Sequence, residues 1–87
     1  MTIAQRFTAE IAKNKTNGWT AVAWTESVSV LGTGRPVKVT AIIDGHEFQA
    51  TLLPIGGLHM LPLRAAILKS IKKQVGDTVE VYLKDRL

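Results

Sequence analysis

Eighty-seven residues, no cysteine and a net charge of +4 from eleven basic and seven acidic side chains describe one small domain spanning residues 1–87. A chain this short must put all its apolar segments into one core, and it leaves no room for a separate catalytic domain. Disulfide and thiolate chemistry are excluded. No basic start with an apolar run opens the chain, and no stretch approaches the ~20 apolar residues of a membrane-spanning helix, so the expectation is a soluble, cytoplasmic protein with no membrane partner.

The excess charge is local. Residues 62–76 hold four basic side chains, Arg64, Lys69, Lys72 and Lys73, and no acidic one, whereas the other seven basic and seven acidic residues cancel. Such a cluster attracts phosphates or acidic surfaces, and it equally suits a solvated helix end where cations favour the dipole.

Taken in order, residues 6–13 alternate, with Phe7, Ala9 and Ile11 on one face and Arg6, Thr8 and Glu10 on the other, which predicts a strand with one wet side. The polar segment 13–18, ending in Asn17-Gly18, joins it as a hairpin loop to a second strand, 19–24. There Trp19, Ala21 and Ala23 oppose Thr20, Val22 and Trp24, so one tryptophan belongs to the core and the other to a rim. Thr25, Glu26 and Ser27 offer helix-start chemistry, with Val28 and Leu31 as the inner side of a short helix stopping at Gly32. Residues 32–36 are a loop by composition.

Val37, Val39, Ala41 and Ile43 define a third strand, and Asp44-Gly45 is the strongest hairpin signal in the chain. A fourth strand then runs from His46 to about Leu53 and ends at Pro54, followed by a mobile link over 55–57 and a short strand over 58–61. Pro62 predicts a helix from about Leu63, with Leu63, Ala66, Ile67 and Ile71 as its buried stripe. Gly76-Asp77 is a turn, and Val79, Val81 and Leu83 alternate with Thr78, Glu80, Tyr82 and Lys84 as a last strand.

A weak repeat is visible. Residues 19–43 and 58–83 both read strand, short helix, glycine, strand, with an inward valine three residues after Gly34 and Gly76. Two such halves fused in one chain close a small barrel and remove exposed edges.

The strand, proline, helix, Gly-Asp, strand unit resembles the half-barrel of AbrB- and MazE-type swapped-hairpin proteins. The whole chain is similar to the domain of unknown function 1905 family. The residues that carry this are FTAEI at 7–11, Gly18-Trp19, PVKV at 36–39, Asp44-Gly45, LLPIGG at 52–57, LPLRAAI at 61–67 and VGDTVEVYLKD at 75–85. Where the family's second strand commonly runs into a proline, this chain has Trp24 and Thr25. The resemblance implies a mostly β fold, a small closed, double-split, pseudo-two-fold β-barrel of about six strands with one or two short capping helices. In the family this domain often precedes a small helical domain associated with bacteriocin protection; these 87 residues do not include that domain, and the sequence does not decide whether a resistance role applies without it.

Catalysis needs a nucleophile, a base in reach and a stabiliser of developing charge, and the residue set offers no recognisable constellation. His46 follows a turn and is expected to be exposed. His59 is expected either on a wet strand face or at a pocket mouth with Arg64. His46, His59, Asp44 and Glu47 lack ligand spacing, so no metal and no cofactor is expected. Gly56-Gly57 either lets a ligand approach the backbone or serves a bulge or crossover. The reading is a non-catalytic binding module for a small or peptide-like ligand at a barrel end, near Trp24, Gly56, Gly57, His59 and Arg64. The alternative is nucleic-acid binding through Arg64, Lys69, Lys72 and Lys73, as AbrB-like architecture implies, and an enzyme with His59 as general base comes third. Monomer and homodimer both remain open.

Overall fold

A computed structural model of the chain describes residues 2–13 and 18–87. The elements are β1 (Thr2–Glu10), β2 (Ala12–Lys13), β3 (Thr20–Trp24), α1 (Ser27–Leu31), β4 (Val37–Ile43), β5 (His46–Ile55), β6 (Leu58–Pro62), α2 (Ala65–Ile71) and β7 (Thr78–Arg86). All ladders are antiparallel, in the order β1-β7-β4-β5-β6-β3-β2. The two ends of that order are consecutive in the chain, separated only by the fully buried Ile11. The sheet therefore curls until it meets itself, and with β1 and β2 counted as one bent strand it is a mostly β, six-stranded barrel.

Alternation puts the core where the pattern predicted it. Val37, Val39, Ala41 and Ile43 of β4 and Val79, Val81 and Leu83 of β7 are all at most 3% exposed. Each of these valine, isoleucine and leucine side chains contributes roughly 1.5–3 kcal/mol on burial. The Asp44-Gly45 hairpin is a two-residue turn between Ile43 and His46, with φ of 50° and 79°, the positive values a type I′ turn requires. Of the two tryptophans, Trp24 is 4% exposed and Trp19 53%. Residues 14–17 of the first loop lie outside the described residues.

The register makes the repeat explicit. The segment β1–β2 pairs with β3 and β7, as β5 pairs with β6 and β4, while β3 pairs with β6 and β4 with β7. Val22 lies opposite Leu61 and Ile42 opposite Tyr82, and a pseudo-two-fold axis runs through both pairs. Phe7, Ala9 and Ile11 thus correspond to Phe48, Ala50 and Leu52 on FTAEI and FQATL, a likeness the sequence reading did not use. Trp24 lies opposite His59, and Leu63 donates its N–H to the Thr20 carbonyl at 2.8 Å, so Leu63 is the counterpart of Trp24 and Thr20 that of His59. Val39, not Val37, corresponds to Val79, which corrects the alignment on the glycines.

Several boundaries differ from expectation. The first strand begins at Thr2, with a bulge where Ala4 takes φ 51°. Strand β5 continues through Pro54 to Ile55. Pairing with β4 has stopped at Leu52, so the nitrogen of Pro54 faces a side with no strand to serve. Gly56-Gly57 is a second two-residue hairpin turn, between Ile55 and Leu58, with φ of 62° and 84°, and not a loose link. Pro62 ends β6 and does not start the helix; Arg64 is still extended at φ −67°, ψ 157°, and α2 begins at Ala65. The buried side of that segment is Leu63 and Ile71 with half-buried Ile67 and Leu68, whereas Ala66 is exposed. In α1, Ser27 and half-buried Leu31 face inward and Val28 is 38% exposed. Gly32, at φ 70°, closes that helix as expected, returning its N–H to the Val28 carbonyl.

Candidate functional site

A barrel built from bent strands has two places where neighbours diverge. Strand β1 pairs with β7 along its length but reaches β3 only through β2, at Ala12 and Lys13. Strand β5 pairs with β4 over residues 46–52 but with β6 only over 53–55. Each divergence is a split beside a short helix. At the first split the rings of Phe7 and Trp24 stack with centroids 5.3 Å apart and planes 7° from parallel, filling the space. At the second split the corresponding pair is Phe48 and Leu63, and a smaller side chain stands where the tryptophan would be.

The second split is open. A groove of about 820 Å³ runs between β5 and the segment from Pro62 into α2, within the range of about 300–1,000 Å³ usual for ligand sites. One wall is Phe48, Gln49, Ala50, Thr51 and Leu53 of β5; the other is Pro62, Leu63, Arg64 and Ala65 with Ile67 and Leu68 of α2. Trp19 and Thr20 close one end. Four consecutive β5 residues line it, from both faces of the strand, so the groove meets β5 along its edge. Its charge is cationic, because Arg64 is exposed there and the ion pairs among the described residues are Arg6–Glu80 at 3.5 Å and Lys84–Glu47 at 3.3 Å.

The residues expected to form a barrel-end site are placed apart. Trp24 and His59 face one another across β3 and β6 inside the core. Gly56 and Gly57 form a hairpin tip at the start of β6, and Arg64 lies past its other end, seven extended positions beyond Gly57 or roughly 20 Å away. Only Arg64 of the five lines the groove. The basic patch is also divided, with Arg64 before α2 and Lys69, Lys72 and Lys73 at its exit, roughly 10 Å along a seven-residue helix.

His59 is fully buried, which corrects both the wet-face and the pocket-mouth expectation. Its Nε2 lies 2.8 Å from the Arg35 carbonyl, which only accepts, so Nε2 carries the hydrogen. Nδ1, 2.7 Å from Ser27 Oγ, then accepts from the hydroxyl in the neutral ring, and the His59 backbone N–H donates to the same Oγ at 2.7 Å. Ser27 is fully buried as well, and the buried side-chain polar atoms of Ser27 and His59 all have partners. This latch ties α1, β6 and the loop before β4 together. The Ser27 hydroxyl therefore does not cap its helix, whose first turn has no side-chain cap. Thr20, the counterpart of His59, is half-buried at the groove, and among the described residues no side-chain hydrogen bond ties α2 to the sheet. His46 is exposed, its Nδ1 3.1 Å from the Asp44 carbonyl oxygen. Among the described residues no three of His, Cys, Asp and Glu come together, and no helix is long and apolar enough to cross a membrane.

The residues that the sequence reading missed are Trp19, Phe48, Gln49, Thr51 and Leu63. Part of a signal was present, because FTAEI and FQATL align, but that Leu63 stands where Trp24 stands in the other half follows only from the strand register. A model of one protein family, described as Domain of unknown function (DUF1905), matches residues 7–83. No curated protein matches the chain.

Proposed function

The chain belongs to the domain of unknown function 1905 family, and on that premise we propose that it is a non-catalytic binding module whose ligand, small or peptide-like, occupies the groove at the second split. The observation that carries this reading is the groove itself, with half-buried Phe48 and Ile67 presenting apolar surface over the buried Leu63, and Arg64 a cation that has no acidic partner among the described residues. That combination suits a ligand with an apolar body and an anionic end. Binding is favoured over catalysis because both ring nitrogens of His59, the one buried histidine beside a hydroxyl, are occupied and leave no base facing a substrate.

The test is a screen of aromatic and aliphatic carboxylate fragments followed by NMR. The expected result is perturbation confined to the Trp19 indole and the Leu63, Ile67 and Leu68 methyls, with weaker binding after Arg64→Ala. No perturbation by any fragment, or perturbation mapping elsewhere, contradicts it.

A second reading, nucleic-acid binding by Arg64, Lys69, Lys72 and Lys73, is favoured by one observation: none of the four has an acidic partner among the described residues. Titration of fluorescent duplex and single-stranded DNA at low and moderate salt distinguishes it, since phosphate binding weakens steeply with salt. Salt-sensitive binding abolished by a Lys69→Glu, Lys72→Glu, Lys73→Glu variant favours that reading; no binding at low salt removes it.

A further inference from the structure

We infer that the ligand of this groove is an extended peptide, held by strand addition to the free edge of β5; the inference rests on the binding reading above. It comes from an accounting of main-chain groups. Ile43 and His46 flank a two-residue turn and so exchange both hydrogen bonds, after which bonded and non-bonded pairs alternate along β4 and β5. His46, Phe48, Ala50 and Leu52 therefore point their N–H and C=O groups at β4, while Glu47, Gln49 and Thr51 point theirs the other way. The second hairpin gives the same parity independently, because Leu53 and Ile55 face β6 in bonded pairs with Met60 and Leu58.

Strand β6 satisfies Leu53 and Ile55 and then leaves. Among the described residues no strand pairs with the β6-facing side of Glu47, Gln49 and Thr51, and no other backbone group bonds to them. This row of donors and acceptors repeats every second residue over about 14 Å; Gln49 and Thr51 line the groove, and Glu47 carries the row on past its lining. A β-strand backbone matches that spacing, and a compact small molecule does not. The far rail cannot compete for the edge, since Pro62, which continuation of the β5–β6 register sets level with Thr51, has no N–H. The same continuation sets Arg64 level with Gln49, where it would meet a carboxylate. Trp19 and α2 residues line the same groove as the β5 edge, so an occupant of that edge lies between them, as a single extended strand can.

The probe is a defined pool of eight-residue peptides that alternate Val, Ile, Leu or Phe with Thr or Ser and end in Asp with a free carboxylate. Members retained by the whole protein on ultrafiltration are identified by mass, and the best is remade in two forms, N-methylated at its odd or at its even residues. One form should lose affinity by about tenfold or more and the other should change by less than about twofold, because only one set of amides faces β5 and donates to it. On the protein, bound peptide should slow amide exchange at Glu47, Gln49 and Thr51 and leave Phe48 and Ala50 unchanged. Equal loss in both forms, or protection without alternation, overturns strand addition. So does protection that grows with protein concentration while the mass doubles, which would make the occupant a second copy. If no peptide binds yet carboxylate fragments still perturb Trp19 and Leu63, strand addition falls and the binding reading stands; if neither binds, both fall.

Discussion

At one split of the barrel Trp24 lies flat on Phe7, and Ser27 and His59 latch α1 to the sheet; at the other, Leu63 and Phe48 occupy the corresponding places, α2 carries no such latch among the described residues, and a groove remains. The strands on the two sides obey one register, so the difference comes from a few side chains and not from the backbone plan. One half has been spent on closure and the other left available. In a domain this small, sealing one split with a large aromatic supplies core that the open split cannot.

The sharpest way to break that asymmetry is to remove the latch. His59→Ala leaves the Ser27 O–H without its acceptor and the Arg35 carbonyl without its donor, although the backbone N–H at position 59 still reaches Ser27 Oγ; with the cavity it opens, it should lower stability in urea titrations by about 3 kcal/mol. Thr20→Ala, at the counterpart position, should cost no more than about 1 kcal/mol. Equal losses would mean that the two halves are anchored alike. Next, Trp24→Leu removes the stack on Phe7 and should cost about 2–3 kcal/mol while making the first split resemble the second, visible as new solvent access at Phe7. Smaller still, Arg64→Ala should change stability by less than about 0.5 kcal/mol, since the side chain is exposed, yet weaken carboxylate ligands by about tenfold. An affinity unchanged by that substitution would remove the anionic end from the description of the ligand.

Much of the barrel was legible because alternation in β4 and β7 and the Asp44-Gly45 turn are local signals with one physical solution. Pro62 misled because proline suits the last residue of a strand as well as the first turn of a helix; its missing N–H is harmless wherever no partner waits, and here β5 has already departed. Gly56-Gly57 was legible as backbone freedom but not as a hairpin, since Pro54 looked like the end of the strand before it. His59 was the hardest residue to place. Nothing local distinguishes a solvated histidine from one whose two nitrogens meet a serine thirty-two positions away and a loop carbonyl. The groove was invisible for a related reason: it follows from a comparison of Trp24 with Leu63, and those positions correspond only once the register is known.

The most direct test of the account is to close the second split as the first is closed. Leu63→Trp places an indole where Trp24 stands in the other half, within reach of Phe48, and the measurement is the NMR fragment titration repeated on this variant beside the unaltered protein. The account expects the fold to be retained, with stability within about 1–3 kcal/mol of the parent's as an overpacked site allows, and the perturbation at Trp19 and Ile67 to vanish. A folded Leu63→Trp protein that binds the same fragments with undiminished affinity would contradict the assignment of the groove as the binding site.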